Sequence, residues 1–448
     1  MQPSLNYERL EELDTINVMV VGDGGREHAI TWKLAQASRI GSLAATKQLP
    51  EHLKAHDISS ILTNDIEVDC KALTHYATDE NIDLAVVSQD HWLAAGLVDS
   101  LMEAGVATWG ADKGSAQLES SKKFAKLLMQ EAGVATAAYN DFTDASAAHM
   151  YIESHQEWPV YVKASWPAKG KAAEQADTPA AAHKLIDAMF GGMYGPATGP
   201  VIIEELLVGR EFSQHEWVDR NTIRSFPASI DHKRIYDDDT GPMTGGVGVV
   251  APRILFGEKD FDTTVIDIAR RTVSEPILAV LRKHGHAFNS GILYPGIMEQ
   301  ANGLAVVEYN TRPGNPEMQT HLRRLDSDLL EIIVASVCGK LADVDIAWTD
   351  DVAIDVVLCS HGYPNEYELG KVIRGIDEAS KVPGVELFWA GAKKVNGTLL
   401  TDGGRVLDVT AVGKNLAQAR DRAYSAASIL QFEGKHYRSD IGLRESQL

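Results

Sequence analysis

The chain has 448 residues, more than one ordinary hydrophobic core accommodates, so roughly two to four domains are expected. Its 42 Lys and Arg against 63 Asp and Glu leave a net charge of −21, a field that repels nucleic acid and anionic membranes and excludes both as main partners. Three widely spaced cysteines, Cys70, Cys338 and Cys359, make neither a disulfide frame nor a zinc pattern, and no apolar run approaches the roughly 20 residues of a membrane span; a reducing cytoplasm is the expected setting.

Residues 1–15 read as a polar extension, lacking the basic and apolar parts of a signal peptide. An apolar strand over 16–21 then leads into Gly22-Asp23-Gly24-Gly25-Arg26-Glu27 and an amphipathic segment over 29–40. Strand, glycine turn and helix together present backbone N–H groups to an anion. Glu27 fills the third glycine position of the dinucleotide fingerprint, so the motif suits a single phosphate with Arg26 nearby; a purely structural glycine turn is the plain alternative. Further strands are expected near 58–62 and over 82–88, followed by a helix over 94–105. The alternation predicts a parallel α/β unit.

A second unit opens near Gln117 with a helix over 118–133, where Lys122 stands in a Ser/Lys cluster; most such lysines are simply exposed. The strand 160–164 carries Lys163, which needs an anion if buried, either a nucleotide phosphate or a salt-bridge partner. Gly170 and Lys171 follow in a basic, turn-rich stretch able to close over phosphates. The strand starting at Val201 ends in Glu204, Glu205 and Leu206. Its carboxylates suit an adenine amine and ribose hydroxyls, or an exposed strand end. Asp231-His232-Lys233-Arg234 opens a Gly/Asp-rich loop reaching Gly248 through Gly245 and Gly246; its backbone entropy suggests close ligand approach.

A helix over about 261–284 and a hairpin over 292–310 come next. The hairpin's end alternates Glu308, Asn310 and Arg312, which share one strand face. The first two are hard oxygen donors of the kind Mg²⁺ takes alongside substrate phosphates. Arg312 is a fixed cation for a phosphoryl or carboxylate oxygen. A solvated strand end is the plain alternative. From about Val352 short strands, GYP and DGG turns and a helix over 415–430 follow.

In this order, VVGDGGREHAI, LESSKKFAK, the DHKR, DTGP and TGG pieces of the long loop, VVEYNTRPGNPE, GGRVLDVTA, the Ala/Tyr-rich helix and YRSDIG resemble one family. It is the phosphoribosylamine–glycine ligases (glycinamide ribonucleotide synthetases) of the ATP-grasp superfamily, and the resemblance covers about 16–442. It implies an α/β and α+β multidomain chain with an ATP-grasp fold. An N-terminal parallel α/β (pre-ATP-grasp) domain would span 16–116, the ATP-grasp domain 117–345 with a lid at about 135–198, and a C-terminal domain 346–448. It also implies ATP with Mg²⁺ or Mn²⁺, and two small-molecule substrates, glycine and the phosphorylated sugar amine 5-phosphoribosylamine. The reaction would pass through an acyl phosphate to glycinamide ribonucleotide, ADP and phosphate, in a monomer or homodimer.

Carried onto this sequence, the family pattern makes Glu308 and Asn310 metal ligands and puts Lys122 and Lys163 on ATP phosphates. Gly170 and Lys171 belong to the lid, Glu204, Glu205 and Leu206 to the adenine pocket, and Glu211 to the ribose. Arg312, Lys163 and Asp231 form the catalytic set, with Arg312 at the transferring phosphoryl or the acyl phosphate. The substrate side comprises Gly22, Gly24, Gly25, Arg26, Glu27, Asp90, Asp231, Lys233, Arg234, Gly245 and Gly246.

The departures from the family pattern are uneven. Ser88-Gln89-Asp90 stands for Gly-Pro-Glu, Lys47 to Pro50 for a Pro-Gly-Asn loop, and Ser165 to Ala172 for the usual lid sequence; Met243 replaces an Asn and Asn315 an Asp. The phosphoryl-transfer residues are kept, whereas the amine side and lid are altered. Three readings stay open: the standard ligase, a ligase for a different amine or amino acid, and a nucleotide-binding subunit without turnover. Asp90 keeps a carboxylate one methylene shorter than Glu, which argues for a retained sugar contact.

Overall fold

The computed structural model describes residues 7–166, 173–193, 195, 199–253 and 263–447. Five parallel strands form the N-terminal sheet, in the order Ala55–Asp57, Ile40–Ala45, Ile16–Val21, Leu84–Val87 and Ala107–Trp109. Helices cover both faces, so Val18, Val20, Leu84 and Val86 are buried on one side and Met19, Val21, Ala85 and Val87 on the other. Strand order reverses between Ile16–Val21 and Leu84–Val87. The crevice at their carboxyl ends is where such sheets bind ligands. The glycine turn and the 88–90 segment both lie there.

Several sequence expectations are corrected here. The first helix is Gly25–Leu34 and ends well before residue 40, because Ile40–Ala45 leaves it to become the second strand. That strand, with Gly, Ser and three Ala or Leu, carries a weak β signal. The strand expected near 58–62 is displaced to Ala55–Asp57; Ser59–Ile61 is a single 3-10 turn, and Ile58 is apolar because it packs into the core. The helix expected over 118–133 breaks at Ser121, an extended residue whose hydroxyl caps the next helix at Phe124 N. Two helices result, Lys113–Ser120 and Lys122–Ala132, with Lys122 at the start of the second. Gly96, with φ +91°, likewise divides Asp90–Ala95 from Leu97–Glu103.

An antiparallel layer runs Arg210–Ser213, Ser290–Gln300, Glu216–Asp219, Ile223–Ser225, and Gly303–Asn310 pairs with the long strand Ser290–Gln300. Gly296 opposes Glu308 while Ile297 opposes Val306, so Val307 is an extra, bulged residue. Bulges re-aim strand ends, and this one immediately precedes Glu308 and Asn310. A separate four-stranded sheet, Tyr139–Phe142, Val201–Glu205, Val160–Ala164 and Ala173–Ala176, packs on the helices Ala145–Ser154 and Pro179–Phe190 around its own core of Ile152, Val162, Ile186 and Ile203.

Residues beyond 346 do not complete a sheet alone. Val352–Cys359, Arg405–Gly413 and Val385–Trp389 are extended by Gly248–Ala251 and Ile230–Asp231. The long Gly/Asp loop is therefore seated on the C-terminal sheet. It is also ordered internally: Arg234–Tyr236 pairs with Thr240–Met243, and the buried Arg438 holds Asp239 at 2.7 Å.

Candidate active site

Glu308 is the centre of a cluster of cations. Burial pushes its carboxyl up, but Lys233, Lys122, Lys163 and Arg312 together hold it below its ordinary value. These residues come from four separate elements, which the sheet packing brings together. Burial lowers the Lys122 ammonium, which makes no ion pair among the described residues and stands in the field of Glu308, Glu119 and Glu204.

Lys163, buried on its strand, has a carboxylate beside it. It forms an ion pair with Glu204, whose other oxygen lies 2.7 Å from Lys126 Nζ. Burial works against the Lys163 ammonium, yet Glu204 and Glu308 raise it above its ordinary value. The expectation that the Glu204 carboxylate accepts from adenine or ribose is corrected: it is buried at 4% exposure and committed to two lysines. Glu205 is exposed and caps Ala138 N at 2.9 Å, while Leu206 is half-buried. Glu211, expected at the ribose, pairs with Lys233 at 2.5 Å. Gly170 and Lys171 lie outside the described residues.

Arg312 is fixed on three sides. It donates to Glu119 Oε1 at 3.0 Å, to Asn310 Oδ1 at 2.8 Å and to its neighbour's carbonyl at 3.1 Å. Glu119 also accepts from Thr311 N at 2.9 Å. Burial pushes the Glu119 carboxyl up against the pull of Arg312. Asp90, at the end of the N-terminal crevice, feels burial but is held well below the carboxylate range by His91, Arg312 and Arg26. The turn beyond Arg312 is pinned at three points: Arg26 donates to Pro313 O at 2.8 Å, Gly314 N donates to His215 Nε2 at 3.0 Å, and Gln319 donates to Asn315 Oδ1 at 2.8 Å. Burial drops His215 to about 3, keeping it the neutral acceptor this contact needs.

The glycine turn is built differently from the sequence reading. Glu27 accepts from Gly24 N at 2.8 Å, Arg26 Nε at 2.6 Å and Ser88 Oγ at 2.7 Å. Glu27 and Arg26 are thus buried supports of the turn. A side chain at Gly24 would meet Glu27 at 2.9 Å, and one at Gly25 would overlap Asp408. Gln89 bridges to Asp23 at 2.8 Å, so the altered 88–90 segment is joined to the turn.

Across the cleft, burial and then the charge of Glu317 push Asp231 well above its ordinary range. Lys233, by contrast, is raised well above its ordinary value despite burial, chiefly by Glu211. Arg234 serves the loop itself, donating to Gly241 O at 2.7 Å. Gly245 and Gly246 offer carbonyls to Arg405 at 2.5 and 3.2 Å.

Among the described residues no group of three or more His, Cys, Asp or Glu is arranged to hold a metal. Glu308 and Asn310 supply two oxygens, a donor set that fits Mg²⁺ taking its remaining ligands from water and phosphate. Glu119, Lys126, Glu317 and Arg405 were missed in the sequence. Each except Lys126 sits one to three residues from a glycine or serine turn inside a recognised motif, but its partners lie up to 193 residues away.

The chain matches the N domain of phosphoribosylglycinamide synthetase over residues 16–119, its ATP-grasp (A) domain over 120–318 and its C domain over 353–444. It is 38% identical over 429 residues to a phosphoribosylamine–glycine ligase of Brucella melitensis, covering 96% of this chain and 98% of that one. It is 40% identical over 433 residues to one of Nostoc sp., covering 96% and 99%. A crystal structure of phosphoribosylamine–glycine ligase from Thermotoga maritima matches with a TM-score of 0.80 at 27% identity, covering 95% of this chain and 100% of the other.

Proposed function

The chain belongs to the phosphoribosylglycinamide synthetase family, and from that premise we propose that it ligates glycine to 5-phosphoribosylamine with ATP, a step of purine biosynthesis. A glycine carboxylate oxygen takes the γ-phosphoryl of ATP, releasing ADP. The amine nitrogen then attacks the acyl carbon, phosphate leaves, and the amine gives up a proton. No side-chain nucleophile is required.

The observation that carries this reading is a buried set in which Lys163 pairs with Glu204 and Arg312 is held by Glu119 and Asn310, while both cations, with Lys122 and Lys233, hold the Glu308 carboxyl below its ordinary value. Such a cluster neutralises phosphate charge and opposes charge developing in transfer. Lys122 and Lys163 bind ATP phosphates, and Arg312 steadies the transferring phosphoryl and the acyl phosphate. Glu308 and Asn310 would hold Mg²⁺, which screens phosphate charge when bound. Asp231 becomes the carboxylate partner of the amino acid's ammonium, with Arg312 at its carboxyl end. The crevice between the glycine turn and Asp90 takes the phosphorylated sugar, and the segment at about 135–198 acts as lid.

The reading also places the chain in the cytoplasm, as a monomer or homodimer. Among the described residues no helix is long and apolar enough to cross a membrane. The test is coupled ADP release from the purified protein with Mg-ATP, glycine and freshly made 5-phosphoribosylamine, with controls lacking each. Release only with all components supports the reading. Release with glycine and a different amine, but not with 5-phosphoribosylamine, would overturn the assigned amine.

A further inference from the structure

Arg405 begins the strand Arg405–Gly413 of the C-terminal sheet, far from the residues assigned to chemistry in the sequence. Its Nη1 donates to three peptide carbonyls: Gly245 O at 2.5 Å, Gly246 O at 3.2 Å and Asn315 O at 2.7 Å. The first two belong to the glycine loop and the third to the turn beyond Arg312. Three carbonyl dipoles aimed at one point repel unless a cation joins them, and a guanidinium, permanently charged, is suited to that. The guanidinium also lies flat against Gly245, where an added Cβ would stand 3.2 to 3.3 Å from its terminal atoms.

Gly246 adjoins Asp231. A Cβ at Gly246 would lie 2.7 Å from Asp231 Oδ1 and 2.7 Å from Pro316 Cδ, so the loop, Asp231 and the turn are in direct contact. Asn315 follows Arg312 by three residues in a turn held at Pro313 O, Gly314 N and the Asn315 side chain. The separation of Asp231 from Arg312 is therefore set by how the two loops are joined, and Arg405 joins them.

We infer that Arg405 is a positioning residue for the amino-acid substrate, holding the glycine loop and the 313–316 turn at the spacing that lets Asp231 and Arg312 grip the two ends of one zwitterion. It acts through those loops and touches no reacting atom. This deepens the proposed function and rests on it for the identity of the ligand. It also gives the C-terminal sheet a part in amino-acid binding, because that sheet supplies both Arg405 and the seat of the loop.

The test uses Arg405→Met and Arg405→Lys in the full chain, each checked by thermal melting. Coupled ADP release is read at varied glycine and varied ATP, and backbone hydrogen exchange is read in peptides spanning 241–247 and 312–317. Loss of a charged donor shared by three carbonyls predicts a KM for glycine raised about ten- to hundredfold in the Met variant. The KM for ATP should stay within about threefold. The Lys variant, which keeps the charge, should recover part of the loss, and exchange should quicken in both peptides together. Equal rises in both KM values, an unchanged KM for glycine, or unchanged exchange in either peptide overturns the inference. If the Met variant does not fold, the Lys variant carries the same comparison. If the unaltered protein releases no ADP with glycine, the proposed function fails by itself. The exchange readout then decides the loop clasp: quickening in both peptides upholds it, and its absence overturns it.

Discussion

Replacing Asp408 by Asn should stabilise the protein, and more so as pH rises. Asp408 and Asp355 lie on adjacent strands of the C-terminal sheet, 1% and 0% exposed. Asp408 accepts from Gln319 Nε2 at 2.8 Å and Asp355 from Thr410 Oγ1 at 2.6 Å, too little to replace the water each charge has lost. Burial, and for Asp355 next the charge of Asp408, drives both carboxyls up: Asp408 to about 6 from 3.8, and Asp355 well above its range. Because the folded-state value lies above the unfolded one, Asp408's favourable contribution is complete below pH 4 and is lost as pH rises through 6. At 1.36 kcal/mol per pKa unit, a rise of about two units costs on the order of 3 kcal/mol at pH 8 and under about 1 kcal/mol at pH 4. Asn keeps the shape and an acceptor for Gln319 without the charge. Denaturant unfolding of Asp408→Asn and the unaltered protein at pH 4 and pH 8 measures the difference directly. A variant less stable than the parent at pH 8, or a gain equal at both pH values, would refute the reasoning.

Glu308→Ala should lower kcat by at least about a thousandfold, since it removes a metal ligand and the centre of the cation cluster. Near-normal kcat at saturating magnesium would sink that assignment. Glu119→Gln should lower kcat about ten- to hundredfold by loosening Arg312, with the KM for ATP little changed; an unaltered kcat in the coupled assay would show that Arg312 needs no carboxylate to hold it. Asp90→Ala should raise the KM for the sugar amine more than that for ATP, and equal effects on both would argue against a sugar-side role for the N-terminal crevice.

The parts legible in the sequence were those whose physics is local. Ile16–Val21 is apolar at every buried position because a central parallel strand is covered on both faces, and the glycines after it mark a turn with no room for a side chain. Glu308, Asn310 and Arg312 could be read as one cluster because alternation along a strand is a property of the chain itself. The ordered motifs did the same for the family. Elements with weak local signals were misread: Ile40–Ala45 is a strand because it completes a sheet between two others, and the break at Ser121 depends on a single cap.

Composition and motif order determined that this is a multidomain, acidic, ATP-using ligase with its oxygen donors and fixed cation side by side. Which charges neutralise which was decided only by the tertiary structure. Glu204 meets Lys163 and Lys126 across strand pairing and a helix face; Glu119 meets Arg312 over 193 residues; Glu27 turns inward to Arg26; and Arg405 reaches from the last sheet to two loops of the cleft. A side chain's type states what partner it needs. Desolvation makes that need costly to leave unmet, but the partner is whichever group the packing brings within about 3 Å, and no spacing along the chain encodes that distance.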